Sequence, residues 1–129
     1  MADKKKILII DDEEDFCFFV RKNLINSQKF DAIIATSGKS GLALARSEKP
    51  DLILLDLMMP GMGGEAVYEA LRASPDTGNI PVIFLTALVT REDTGKEGLK
   101  KIGNSWFIAK PVRTRALIAA ISEVLKNPD

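Results

Sequence analysis

Short apolar runs alternate with longer stretches of helical period along this chain, which predicts βα units built around a parallel sheet. The apolar runs predict strands at Lys6–Ile10, Phe30–Ala35, Leu52–Leu55, Val82–Leu85 and Trp106–Ala109. Most of them are continuously apolar, as strands covered on both faces are. The first helix starts after Asp12, with Glu13, Glu14 and Asp15 near its positive end and Phe16, Phe19, Val20 and Leu24 on one face. Helical spacing then predicts Lys39–Ser47, Gly64–Ala73 with Ala66, Val67, Ala70 and Leu71 buried, roughly Glu92–Ile102, and Thr114–Lys126. The fourth of these five helices carries Gly95 and Gly98, each costing about 1 kcal/mol against Ala, and is expected to be the least stable.

The expected fold is therefore α/β: a single doubly wound, five-stranded parallel sheet, order 2-1-3-4-5, flavodoxin-like, with helices on both faces. Residues 1–129 read as one domain, with nothing left over for an output domain.

Composition narrows the function classes. Lys plus Arg and Asp plus Glu balance at 18 each, so no overall positive field favours direct binding to nucleic acid. No apolar stretch approaches the roughly 18 residues of a membrane span, and the run after the basic opening stops at Asp11, too soon for a signal peptide. A cytoplasmic location is expected. Cys17 is the single cysteine and the chain has no histidine, so any metal must be held by oxygen.

In open α/β sheets ligands bind beyond the carboxyl ends of the strands. Here the first strand runs into Asp11-Asp12, the third into Asp56, the fourth into Thr86 and the fifth into Lys110, while the second ends in Ala35-Thr36. Three gathered carboxylates repel one another and need a compensating cation, for which Mg²⁺ and Lys110 are the candidates. Such a site handles phosphate: Asp56 can act as a nucleophile once charge on the incoming oxygens is neutralised by metal, ammonium and the Thr86 hydroxyl. Each residue also has a plainer reading. Asp11 and Asp12 can cap the first helix, Asp56 can serve the turn at Met59-Pro60-Gly61, Thr86 is an ordinary strand residue and Lys110 a solvated lysine. Phe107, Trp106 and Cys17 have the composition of core. Gly38-Lys39-Ser40 imitates the end of a P-loop, but Ile33 stands where that pattern requires Gly.

The segments Ile7–Glu13, Pro50–Met62, Pro81–Ala87 and Lys110-Pro111, in this order, resemble the response-regulator receiver family from about Lys6 to Lys126. The resemblance implies that Asp12 binds Mg²⁺ directly, Asp11 assists through water, and the Met58 backbone carbonyl completes the protein ligands. It implies further that Asp56 accepts the phosphoryl group, that Thr86 and Lys110 contact its oxygens, that Lys110–Pro111 is cis, and that Thr86 and Phe107 carry the switch. Its implied partners are a sensor histidine kinase or histidine phosphotransfer protein and a downstream protein target, with the chain a monomer or a phosphorylation-dependent dimer. The sequence departs from the family at Leu88, Val89 and Trp106. Competing readings are a non-phosphorylated interaction module, a flavodoxin-like cofactor binder, and an aspartate-nucleophile phosphatase, whose usual second Asp is replaced by Met58.

Overall fold

The strands form where β-branched and leucine runs hide both faces of a sheet. In the computed structural model, which describes residues 4–87, 99–103 and 105–126, β1 (Lys5–Ile10), β2 (Phe30–Ala35), β3 (Leu52–Asp56) and β4 (Val82–Thr86) are parallel. Next come β5 (Leu99–Ile102) and β6 (Ser105–Ala109), with β6 parallel to β4 and β5 antiparallel to β6. The described helices are α1 (Glu14–Asn26), α2 (Gly38–Glu48), α3 (Gly64–Ala73) and α4 (Thr114–Lys126). The sheet order is β2-β1-β3-β4-β6-β5.

The five parallel strands thus take the expected flavodoxin-like order, and β1 and β3 adjoin at the point where the order reverses. Alternate residues of each strand feed two separate cores. Ile7, Ile9, Leu52, Leu54, Ile83 and Leu85 pack under α1 and α4 with Val20, Leu24, Leu117 and Ile121. Leu8, Ile10, Ile53, Leu55 and Phe84 pack under α2 and α3 with Ala45, Val67 and Leu71. Burying one such leucine or isoleucine contributes about 1.5–3 kcal/mol.

Several expectations need correction. Among the described residues the sheet has six strands rather than five, and Leu99–Ile102, expected at the end of a helix, is strand β5; residues 92–98 of that expected helix lie outside the described residues. The pairing explains itself chemically. Leu99 opposite Ile108 packs against the α1–α4 core, and Lys101 opposite Trp106 sets its ammonium 5.1 Å from the indole ring centre. Gly103, directly after β5, takes φ +61°, a left-handed conformation that glycine adopts without strain. On the helices, Ala66 is exposed rather than buried, and Phe19 lies outside the face expected for it with Phe16, Val20 and Leu24; Cys17 takes the inward position on α1.

Candidate functional site

Asp11, Asp12, Asp56, Thr86 and Lys110 come together at the carboxyl edge of the sheet. Asp56 and Thr86 are the last residues of β3 and β4, Asp11-Asp12 directly follow β1, and Lys110 follows β6. The register does this. Ile10 pairs with Leu55, Asp56 with Leu85 and Thr86 with Ala109, so the polar endings of adjacent strands reach the same level.

Asp11 is fully buried and divides its two oxygens. Oδ1 accepts the Glu13 backbone N–H at 3.0 Å, a turn just ahead of α1; the N-cap position is Glu13, so neither Asp11 nor Asp12 occupies the cap that the plainer reading gives them. Oδ2 lies 2.7 Å from Lys110 Nζ, yet makes no aligned hydrogen bond within the protein. The Asp11 backbone is fixed as well, its N–H donating to Ala35 O at 3.1 Å and its carbonyl accepting the Cys17 thiol at 3.2 Å. Burial, with Asp11 adding to it, pushes the Cys17 thiol up to about 12. Asp12, next in the chain, is exposed.

Asp56 is 4% exposed, and its Oδ1 accepts the Met58 backbone N–H at 3.2 Å. Burial, and then the negative charge of Asp11, raises its carboxyl from 3.8 to about 6, against the opposing pull of Lys110. The loop after Asp56 is tied down by Leu57 N–H to Leu85 O at 3.0 Å and by Gly64 N–H to Leu57 O at 3.1 Å. Gly64 must be glycine: a Cβ there would collide with the Asp56 carbonyl oxygen and stand 2.7 Å from Leu57 Cα.

Lys110 reaches all of these groups. Its Nζ is 2.7 Å from Asp11 Oδ2, 3.0 Å from Glu13 Oε1 and 3.7 Å from Asp56 Oδ1. Burial works to lower its pKa, but the close Asp11 carboxylate, the hydrogen bond to Glu13 and the surrounding negative charge outweigh it and hold the ammonium above its ordinary value. The Lys110–Pro111 bond is cis, and Lys110 N–H donates to Thr86 O at 3.0 Å. Thr86 is 1% exposed. Glu13, anticipated only as a helix-start acid, joins the site as an ion-pair partner of Lys110; no spacing rule marks it, because the contact spans 97 positions.

Carboxylate oxygens of Asp11, Asp12 and Asp56 lie within 4.8 Å of one another, one ligand atom from each. Hard oxygen donors, one of them a buried carboxylate oxygen without an aligned hydrogen bond, fit a small divalent cation such as Mg²⁺. Met58 is 64% exposed beside the cluster. Phe107 lies apart from it, half-buried on the α2–α3 face, stacked on Phe84 with ring centres 5.2 Å apart. It lines a cleft of about 260 Å³ together with Leu57, Tyr68 and Ser105.

Comparison with known proteins agrees with this geometry. The profile of the response regulator receiver domain family matches residues 7–122. Response regulator PleD of Caulobacter vibrioides is 36% identical over 121 residues, covering 94% of this chain but 26% of PleD, so the chain spans about a quarter of that relative. Protein PilH of Pseudomonas aeruginosa is 33% identical, with 93% of this chain and 97% of PilH covered. Among solved structures, the chemotaxis protein CheY4 of Vibrio cholerae superposes with a TM-score of 0.79 at 25% identity, covering 95% of this chain and 99% of CheY4. The receiver domain of Francisella response regulator 1452 gives 0.76 at 26% identity, covering 98% and 100%. With its polar strand ends gathered at one edge of a flavodoxin-like sheet and the family profile spanning nearly all of it, the chain belongs to the response regulator receiver domain family, the phosphoryl-accepting module of two-component signalling.

Proposed function

We propose that Asp56 accepts a phosphoryl group from a phosphohistidine donor in a Mg²⁺-dependent reaction, and that residues 1–129 act as one receiver unit. The observation that carries this reading is a nearly buried carboxylate at a strand end, within reach of a lysine and of two further carboxylates. An Asp56 carboxylate oxygen attacks phosphorus in line, the bond from phosphorus to the imidazole nitrogen breaks, and the nitrogen keeps the electron pair. Lys110 neutralises one phosphoryl oxygen and the Thr86 hydroxyl donates to another, while the Met58 N–H steadies the attacking carboxylate. Asp12 and Asp56, with Asp11 through water and the Met58 backbone carbonyl, would hold Mg²⁺, which supplies charge neutralisation at the remaining oxygens when bound. Thr86 and Phe107 relay the change outward in this reading.

Response regulators work with histidine kinases and downstream effectors; for this chain the proposed donor is a sensor kinase or phosphotransfer protein, and the proposed output a protein target, in the cytoplasm. No described helix is long and apolar enough to cross a membrane. The test is intact mass after incubation with acetyl phosphate and Mg²⁺. One phosphoryl adduct is expected on the wild type and none on Asp56→Asn or with chelator; an adduct of equal yield on Asp56→Asn would refute the assignment.

A further inference from the structure

Carboxylates are not the only groups that hold Lys110. Phe16, on the first turn of α1, places its ring centre 4.5 Å from Lys110 Nζ. The ring is half-buried and packs against the α1–α4 core, so α1 fixes it in place. The Lys110 side chain is only 15% exposed, and attraction between the ammonium and the negative ring face is correspondingly little screened.

We propose that Phe16 is a positioning residue for phosphoryl transfer: its ring seats the Lys110 ammonium beside Asp56 while the charges around that ammonium are rearranged. The proposal rests on the reading of Asp56 as acceptor. Each carboxylate near Nζ is a competitor as well as a partner. Asp11, at 2.7 Å, holds Nζ more closely than Asp56 at 3.7 Å, and the exposed carboxylate of Glu13, at 3.0 Å, draws it toward solvent. A divalent cation at the carboxylate cluster would weaken the pull of Asp11, and incoming phosphoryl oxygens would create a new one at Asp56. The ring has no net charge, so its hold persists through both changes. The ammonium can turn over the ring face and redirect its three N–H donors without leaving the site. Leucine at position 16 would keep much of the packing but none of this attraction.

A fluorination series at position 16 of the full chain tests the seat, because fluorine drains the ring face of negative charge with little change of shape. With phenylalanine, 4-fluoro-, 3,5-difluoro- and 3,4,5-trifluorophenylalanine, the rate of phosphorylation by acetyl phosphate and Mg²⁺ is expected to fall stepwise, by about threefold to tenfold overall. Phe16→Leu should match the slow end and Phe16→Trp should recover the wild-type rate. In a Lys110→Met background the trend should vanish. A second readout needs neither metal nor phosphoryl donor: the ε-methylene protons of Lys110 should be shifted upfield by the ring in the metal-free protein and return to ordinary values in Phe16→Leu. A flat rate across the series in protein that phosphorylates normally, or a Lys110 methylene indifferent to loss of the ring, would overturn the seat. If the wild type takes no phosphoryl group at all, the acceptor reading fails instead, and the methylene shift alone decides for or against the seat.

Discussion

Lys110 Nζ stands 2.7 Å from Asp11 Oδ2, an ion pair whose acid is fully buried and whose base is nearly so. Removing one member of such a pair leaves the other charge without its partner in a poorly solvated place. Lys110→Ala should therefore destabilise the metal-free protein by about 2–3 kcal/mol in urea denaturation. It should also bind Mg²⁺ more tightly than wild type, since the carboxylate cluster loses its resident cation. Weaker Mg²⁺ binding by calorimetry would show that the ammonium does not compete for these acids.

Asp12 is exposed and supports no described contact in the fold, so its loss should be felt at the metal alone. Asp12→Ala is expected to weaken Mg²⁺ binding by at least about tenfold, with stability within about 0.5 kcal/mol of wild type. Titration calorimetry and urea denaturation on the same preparation separate the two effects.

The raised carboxyl of Asp56 gives the metal-free protein a signed pH dependence. From its ordinary value of 3.8 up to about 6, the folded chain holds a proton that the unfolded chain has released. Stability contributed by this group is present below pH 4 and lost as pH rises through about 6, a change on the order of 2–3 kcal/mol. Asp56→Asn should remove that slope and be more stable than wild type at pH 7. A wild type and variant that run parallel from pH 4.5 to 7 in chelator would contradict it.

Gly64 brings the start of α3 against the Asp56 loop. Gly64→Ala should cost about 1–3 kcal/mol through overpacking and should slow phosphorylation, because the backbone that must give way belongs to Asp56 and Leu57. Thermal unfolding and phosphorylation rates on one sample test both halves.

Cys17 is fully buried and its thiol is pushed up to about 12, so the folded protein should resist alkylation. At pH 8, iodoacetamide should modify it at least about a hundredfold more slowly in buffer than in 8 M urea, the residual rate reporting transient opening. Comparable rates in the two solvents would place the thiol at the surface.

Much of this was legible in the chain because strand endings and apolar runs are local signals. Ile7–Ile10 and Leu52–Leu55 announce strands buried on both faces, and their polar endings name Asp11, Asp12 and Asp56 before any pairing is known. Fold order then brings them together without further instruction. Long-range choices were less legible. Leu99–Ile102 has no strong strand pattern, and becomes a strand because Ile108 and Trp106 lie opposite it, which only the pairing reveals. Within α1 alone, Phe16 is a residue of the apolar face and Glu13 a helix-start acid; their ammonium partner is supplied by a residue nearly a hundred positions away. Phe19 falls outside the inward stripe because Cys17, Val20 and Leu24 set that stripe at helical spacing, and position 19 lies about a third of a turn away from it.

The antiparallel strand β5 changes what β6 can do. With β4 on one side and β5 on the other, β6 is an interior strand, its peptide groups bonded along both margins. Sliding or peeling it away would break two ladders at once. In the proposed switch, a signal passing from Thr86 to Phe107 would therefore run through rotation of side chains on a stationary rail, its speed set by how readily those side chains change rotamer.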